Sequence, residues 1–266
     1  MIVKRIIVSC LQYRGLIKAI TMREIYSRYA ASLLGPLWII FPPLFSVFVY
    51  TFVFARIMNA KVGGIDSPYA YTIFVCSGTV AWGAFVETIQ RAKDVFLANS
   101  NLIKKASFPR IVLFVPIVLS ALLNAAVVLF VNVLLVMVLG FSISWTSFVF
   151  YIPAVLLMMF LGLALGSVLS IINVFLRDAG QFTGTLCQIL YWGTPIVYPL
   201  SVIPEKWHAI LSLNPVLPII DLARYAFLDA PMNFWMLLYP FGLGVVAAYL
   251  AVIMYRRSRS DILDHI

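Results

Sequence analysis

The stretch Ile111–Leu176, IVLFVPIVLSALLNAAVVLFVNVLLVMVLGFSISWTSFVFYIPAVLLMMFLGLALGSVLSIINVFL, runs for 66 residues without one Asp, Glu, Lys or Arg. A membrane-spanning helix takes about 20 mostly apolar residues, so this run is too long for one span and suits two. Gly140-Phe141-Ser142-Ile143-Ser144-Trp145 interrupts the aliphatic pattern and supplies the turn between them. Four further stretches are equally free of charge: Tyr29–Ala55, Ser67–Val86, Ala179–Pro204 and Ala230–Tyr255. Together they predict six spans, near 34–55, 69–88, 112–138, 148–172, 180–199 and 234–255. Composition agrees: of 266 residues, 63% are hydrophobic and 11% charged, with a mean hydropathy of +1.03. Soluble domains hold about 45–50% apolar and 25% charged residues, which excludes a water-soluble enzyme; a disordered chain is excluded too. The predicted fold class is all-α integral membrane, one transmembrane domain over 1–266.

An even number of spans returns both termini to one side. Fifteen Lys and Arg fall on that side and four on the other, namely Arg56, Lys61, Lys206 and Arg224. The positive-inside rule then places both termini in the cytoplasm, and the net charge of +9 reads as topology, not as nucleic-acid binding. Met1-Ile2-Val3-Lys4-Arg5 looks like the start of a signal peptide, but Gln12, Arg14 and Lys18 interrupt the apolar run. No small-residue cleavage site follows, so the segment is expected to be retained. Within 1–33, Tyr13, Leu16, Ile17 and Ile20 share one helical face and Arg14 and Lys18 another, as in a helix lying on a membrane surface. That pattern weakens after Met22, where Glu24 returns to the apolar side. Residues 200–233 carry Pro204, Pro215, Pro218 and Pro231 between short apolar runs, Trp207–Leu213 and Ile219–Leu228. Such runs cannot span; they suit re-entrant or interfacial helices whose backbone is shielded by protein. Segment 89–110 is a basic connection holding Arg91, Lys93, Lys104, Lys105 and Arg110.

Much chemistry is missing. There is no GxxxxGKS or GxxxxGKT loop to cradle phosphates and no HExxH. The two histidines, His208 and His265, are far apart, and Cys10, Cys76 and Cys187 form no CxxC pair. No catalytic or metal-ligating residue is assigned. A membrane glycosyl- or acyltransferase would need carboxylates or histidines gathered at a membrane face; Asp221 and Asp229 with His208 are the candidates. Glu87 is the main ionisable group inside the predicted spans, whereas ion-coupled transporters need such groups near the midplane. The pathway is therefore expected to be powered from outside the membrane. The first span offers aromatic surface instead: Trp38, Phe41, Phe45, Phe48, Tyr50, Phe52 and Phe54. Such rings can stack on sugar faces or anchor a helix at the lipid interface. Gly162-Leu163-Ala164-Leu165-Gly166 is a GxxxG that permits close helix contact.

Five short motifs, in order, carry a resemblance. They are Arg28-Tyr29 with Ser32-Leu33-Leu34-Gly35-Pro36-Leu37-Trp38 and Pro42; Tyr69-Ala70-Tyr71 with Ser77-Gly78 and Trp82; Asn173-Val174-Phe175-Leu176-Arg177-Asp178; Thr194-Pro195-Ile196-Val197-Tyr198-Pro199 with Ile203-Pro204; and Asn214-Pro215 with Pro218 and Arg224. In these the chain resembles, over nearly its whole length, the transmembrane permease subunits of ABC-2-type polysaccharide exporters. The O-antigen export group is nearest, with capsule and teichoic acid permeases similar. The resemblance implies a homodimer working with two copies of a separate ABC ATPase subunit that holds ATP and Mg, in a bacterial cytoplasmic membrane. It implies a polyprenyl-diphosphate-linked polysaccharide as substrate. It also suggests roles for residues. Trp38, Phe41, Tyr191, Trp192 and Tyr198 would face the conduit. Arg23, Arg28, Lys104, Lys105, Arg177 and Asp178 would couple to the ATPase. Trp207, Asn214, Pro215, Asp221 and Arg224 would belong to a periplasmic gate over 200–233. Read from the residues alone, Arg177-Asp178 marks the cytoplasmic end of span four as coupling element or as a plain turn, and Asp221 and Arg224 can pair at i,i+3. An ABC-2 permease for another lipid or small molecule is the neighbouring alternative, and the membrane transferase the one from a different class.

Overall fold

The structure is a computed structural model that describes residues 8–29, 32–52, 70–138, 140 and 144–266. Nine helices organise them. They are α1 (Arg14–Tyr29), α2 (Phe41–Val49), α3 (Ala70–Lys93), α4 (Phe114–Val138), α5 (Tyr151–Phe175), α6 (Asp178–Gly193), α7 (Leu217–Leu228), α8 (Leu238–Arg257) and α9 (Arg259–His265). Short helical turns fill most of the connections, and no strand occurs among the described residues.

Among the described residues, four segments are long and apolar enough to cross a membrane: Ala70–Lys93, Arg110–Val138, Trp145–Phe175 and Phe234–Arg257. They match the second, third, fourth and sixth predicted spans, each running a few residues longer. Gly140, at φ +75°, takes the left-handed conformation just past the end of α4, inside the turn predicted there. The other two spans differ from expectation. Of 34–55, the structure describes an apolar helix over Phe41–Phe52, and 53–55 lie outside the described residues. The predicted helix 180–199 stops at Gly193. Thr194 is extended at φ −104° and ψ 132°, because the residue before a proline is pushed out of the helical region. Sixteen residues of α6 rise about 24 Å, short of the roughly 30 Å hydrocarbon layer.

Helix α3 is the axis of the bundle. Phe85, Val75, Ala81 and Thr88 are fully buried, and α4, α5 and α7 surround it. The GxxxG on α5 makes the closest approach. A Cβ at Gly162 would meet Thr88 and come within 2.8 Å of the Phe85 carbonyl oxygen; one at Gly166 would sit 2.6 Å from the Ala92 Cβ. Only glycine permits α5 to pack so closely on α3.

A second apolar cluster closes one end of the bundle. Ile17 and Ile20 of α1, Val95, Phe96, Ile103, Val112 and Ile117 of the 89–117 region, Val174 of α5 and Ile262 of α9 share it. The N-terminal helix, the basic connection and the C-terminal helix therefore meet at one end. Helix α1 keeps the two faces read from the sequence, with Ile17 and Ile20 buried and Arg14 and Lys18 exposed, but its apolar face packs on the protein's own apolar cluster.

Candidate functional site

The polar chemistry of the described residues gathers at the break between α6 and α7. Residues 194–199 leave the helix, so their carbonyl groups lose intrahelical partners. In a membrane protein each must be satisfied by protein. Arg224, 5% exposed, does this for two of them: its Nη2 donates to the Pro195 oxygen and, at 3.1 Å, to the Ile196 oxygen. Tyr71 of α3 serves the third, its hydroxyl donating to the Val197 oxygen at 2.7 Å. Thr194 donates to the Leu190 oxygen at 2.6 Å and accepts from Asn214 Nδ2 at 2.7 Å. The Asn214 Oδ1 in turn accepts the Val216 N–H at 3.0 Å, which fixes the entrance to α7.

Two neighbours make a buried guanidinium tolerable. The Arg224 plane lies 3.7 Å from the Phe74 ring centroid, a cation–π contact, and Asp221 Oδ1 is 3.4 Å from Nη1. The i,i+3 pair expected from the sequence is therefore present, but its larger role is to accompany an arginine that holds another segment's backbone. Arg224 Nε has no hydrogen-bond partner among the described residues. Helix α7 itself is buried against α3 and α5, with Ile219, Ile220, Ala223 and Ala226 inaccessible. Gly78 receives it: a Cβ there would be 3.4 Å from both Ile196 and Ile220, and the adjacent Ser77 oxygen accepts from the Tyr151 hydroxyl at 2.8 Å. At its far end α7 stops at Asp229, left-handed at φ 49°, whose carboxylate accepts from Ser147. Four of the gate candidates, Asn214, Pro215, Asp221 and Arg224, thus lie within or beside one clasp. Trp207 does not; it is half exposed, with the Lys206 ammonium 5.7 Å from its ring.

The conduit candidates form two groups. Trp38 and Phe41 pair at 6.0 Å between ring centroids and are each about half exposed. Tyr191 packs between Trp82 at 5.7 Å and Trp192 at 5.4 Å, and the Tyr198 hydroxyl donates to the Trp192 oxygen. Tyr50, just past the far end of α2, neighbours Tyr191. It lies nine residues beyond Phe41, a rise of about 13 Å. The two groups therefore sit at opposite ends of α2, with Trp192 65% exposed. Trp82, Tyr50 and Tyr71 are additions to the conduit candidates; the sequence named Tyr71 and Trp82 in the second motif and Tyr50 among the first span's aromatics, but nothing in it brought the three together.

At the opposite end of α3, α1 is docked by charge. Arg91 pairs with Glu24 of α1 and, at 3.2 Å, with Glu87 one turn earlier; it also donates to Ser120 of α4. Asn124 Nδ2 donates to Glu87 at 2.7 Å. Glu24, the flaw in the amphipathic pattern, is thus the residue that ties α1 to α3 and α4. Of the coupling candidates, Arg23 donates to Asn99 of the basic connection at 3.3 Å. Lys104, Lys105, Arg177 and Asp178 are exposed. Arg177 and Asp178 occupy the turn between α5 and α6, with no ion pair between them; Asp178 opens the first turn of α6, where a carboxylate suits the helix dipole. Arg28 is on the last turn of α1, and its side chain lies outside the described residues.

The transferase candidates are not assembled. His208 Nε2 meets the Ile203 oxygen at 3.0 Å, Asp221 pairs with Arg224, and Asp229 holds Ser147. Among the described residues, no group of three His, Cys, Asp or Glu side chains could share a metal ion. The described residues form an all-helical domain with segments apolar enough to cross a membrane, and its buried polar groups hold its own backbone. The chain belongs to the ABC-2 type transporter family, whose profile matches residues 15–228. It is similar to an O-antigen export system permease protein of Klebsiella pneumoniae, at 27% identity over 92% of both chains. A Myxococcus xanthus protein of the same description is 29% identical over 80% of each chain. The polysialic acid transport protein KpsM of Escherichia coli is 24% identical over 79% of this chain and 80% of its own.

Proposed function

We propose that the chain is the permease subunit of an ATP-driven ABC exporter that moves a lipid-linked, O-antigen-type polysaccharide across the bacterial cytoplasmic membrane. One observation carries the reading. Motif residues from widely separated places (Tyr71, Ser77-Gly78, Thr194–Val197, Asn214 and Arg224) meet at one clasp, in a chain that aligns over 92% of its length with an O-antigen export permease. The working unit is a homodimer with two ATPase subunits, which supply ATP and Mg to a chain that has no phosphate loop of its own.

Six spans with both termini cytoplasmic fit the 15-to-4 charge split and the shared end of α1 and α9. In this arrangement α2 belongs to the first crossing, and α6 with the 194–199 turn forms the fifth. The buried α7 then dips back from the periplasmic side as a gate. Exposed Lys104, Lys105, Arg177 and Asp178 would meet the ATPase at the other end, with Arg23 bracing α1 against the connection. The exposed aromatics Trp38, Phe41 and Trp192, with Tyr191 and Tyr198, would line a path where stacking tolerates sliding.

Deleting the gene in its host tests this. Polymer should vanish from the cell surface while lipid-linked polymer accumulates inside, and wild-type chain supplied in trans should restore export. Surface polymer undiminished by the deletion would sink the proposal.

A further inference from the structure

A groove of about 460 Å³ runs between the start of α4, the second half of α5 and the second half of α8. It lies away from the clasp and from the aromatic groups. Its walls are apolar, built from side chains such as Phe114, Phe160, Leu163 and Val252. Of the two hydroxyl-bearing residues in the lining, Ser167 and Tyr255, Ser167 is turned to its own helix, donating to the Leu163 oxygen at 2.6 Å. All three walls belong to segments long and apolar enough to cross a membrane. Along α5 the lining extends from Phe160 to Ile171, a rise of about 16 Å, roughly one leaflet of hydrocarbon.

The two ends of the groove differ. Arg110 and Arg256 line it where α4 begins and α8 ends, with Tyr255 next to Arg256 in sequence, and no acidic side chain lines it anywhere. Arg110 gives one N–H to the Phe108 oxygen at 2.9 Å; neither arginine has an ion-pair partner among the described residues. An apolar groove open to a bilayer has no polar partners for water and is filled by hydrocarbon. Guanidinium groups at the membrane surface pair with phosphate oxygens through two parallel N–H donors.

We infer that this groove is a binding site for an anionic phospholipid, with one acyl chain along α5 and α8 and the phosphate headgroup held by Arg110 and Arg256. The groove's length, its apolar wall and its single basic end each match one part of that ligand. The inference stands apart from what the chain exports, since it needs only that these helices lie in a membrane.

The full chain, co-purified with its ATPase partner in mild detergent, is titrated with phosphatidylglycerol or phosphatidylcholine and followed by native mass spectrometry. Phosphatidylglycerol should bind preferentially. The double variant Arg110→Gln/Arg256→Gln should lose about thirtyfold in phosphatidylglycerol affinity, from two arginines acting near a membrane surface, and little in phosphatidylcholine affinity. Ala248→Phe, which places a ring in the groove, should weaken both lipids. Arg257→Gln, outside the groove, should change neither. Equal affinity of the wild type for the two lipids, or an equal loss in Arg257→Gln, would overturn the inference. Displacement of phosphatidylglycerol by equimolar undecaprenyl diphosphate would overturn it too, by assigning the groove to a lipid diphosphate.

Discussion

Replacing Arg224 should unfasten the 194–199 turn more than any other single change at the clasp. The guanidinium is 5% exposed, donates to two carbonyl oxygens, and has Asp221 3.4 Å away. Arg224→Ala orphans both carbonyls and leaves a carboxylate without its cation. Removing one member of a fully buried pair costs about 3–5 kcal/mol; the Asp221 side chain is 38% exposed, so water offsets part of its loss and the cost falls below that range. A single interhelical hydrogen bond in a membrane protein averages about 0.6 kcal/mol, so Tyr71→Phe, which frees the Val197 oxygen and strands no charge, should cost less. Arg224→Lys keeps the charge but cannot serve two carbonyls in one plane or lie flat on Phe74, and should fall between. Adding Asp221→Asn to Arg224→Ala should recover part of the loss by removing the stranded carboxylate. Unfolding of the purified chain in mixed micelles with increasing SDS gives the stabilities, and limited proteolysis across 194–216 reports the turn itself. The expected order of loss is Arg224→Ala, then Arg224→Lys, then Tyr71→Phe. If Arg224→Ala loses no more than Tyr71→Phe and 194–216 stays protected, Arg224 does not hold the turn.

Gly166→Leu should prevent α5 from seating on α3, since even a Cβ would sit 2.6 Å from Ala92; overpacking costs about 1–3 kcal/mol and more for a large side chain. Gly242→Leu, with open space around it, is the control, and folded yield in detergent checks both. Arg91→Ala should release α1 by breaking its link to Glu24, read as faster protease cleavage within 14–29, while α3 to α5 stay protected. Joint replacement of Trp38, Phe41 and Trp192 by Ala should reduce polymer export and leave insertion and ATPase-subunit binding intact, because stacked rings contribute about 1–3 kcal/mol each by analogy with bases on aromatics. Unchanged export would mean that these rings face lipid.

Spans lined by lipid were legible because their helices are apolar all round: Arg110–Val138, Trp145–Phe175 and Phe234–Arg257 could be read from absence of charge alone. The same counting overran α6, because a charge-free stretch such as Ala179–Pro204 says nothing about conformation. The stop at Gly193 was nevertheless written in Thr194-Pro195, since a proline displaces the residue before it from the helical region. From the residues alone Arg224 was legible as half of a local pair, and the resemblance added a place in a gate but not its hold on the 194–199 turn. Its main partners lie 28 and 29 residues away on a non-helical turn, and no periodicity links such positions. Glu24 looked like a defect in an apolar face because its partner, Arg91, is 67 residues distant. The Gly162–Gly166 pair was visible as a motif, but its facing residues, Phe85, Thr88, Ile89 and Ala92, were set by how α3 and α5 pack.

Transport itself is the most direct measurement. Inside-out vesicles holding the chain with its ATPase subunit, and loaded on the outside with lipid-linked polysaccharide, should accumulate polymer in the lumen only when ATP and Mg are supplied. Vesicles carrying Arg224→Ala should accumulate much less. Polymer that enters equally without ATP, or never enters while the ATPase subunit is bound and hydrolysing, would contradict an ATP-driven polysaccharide permease.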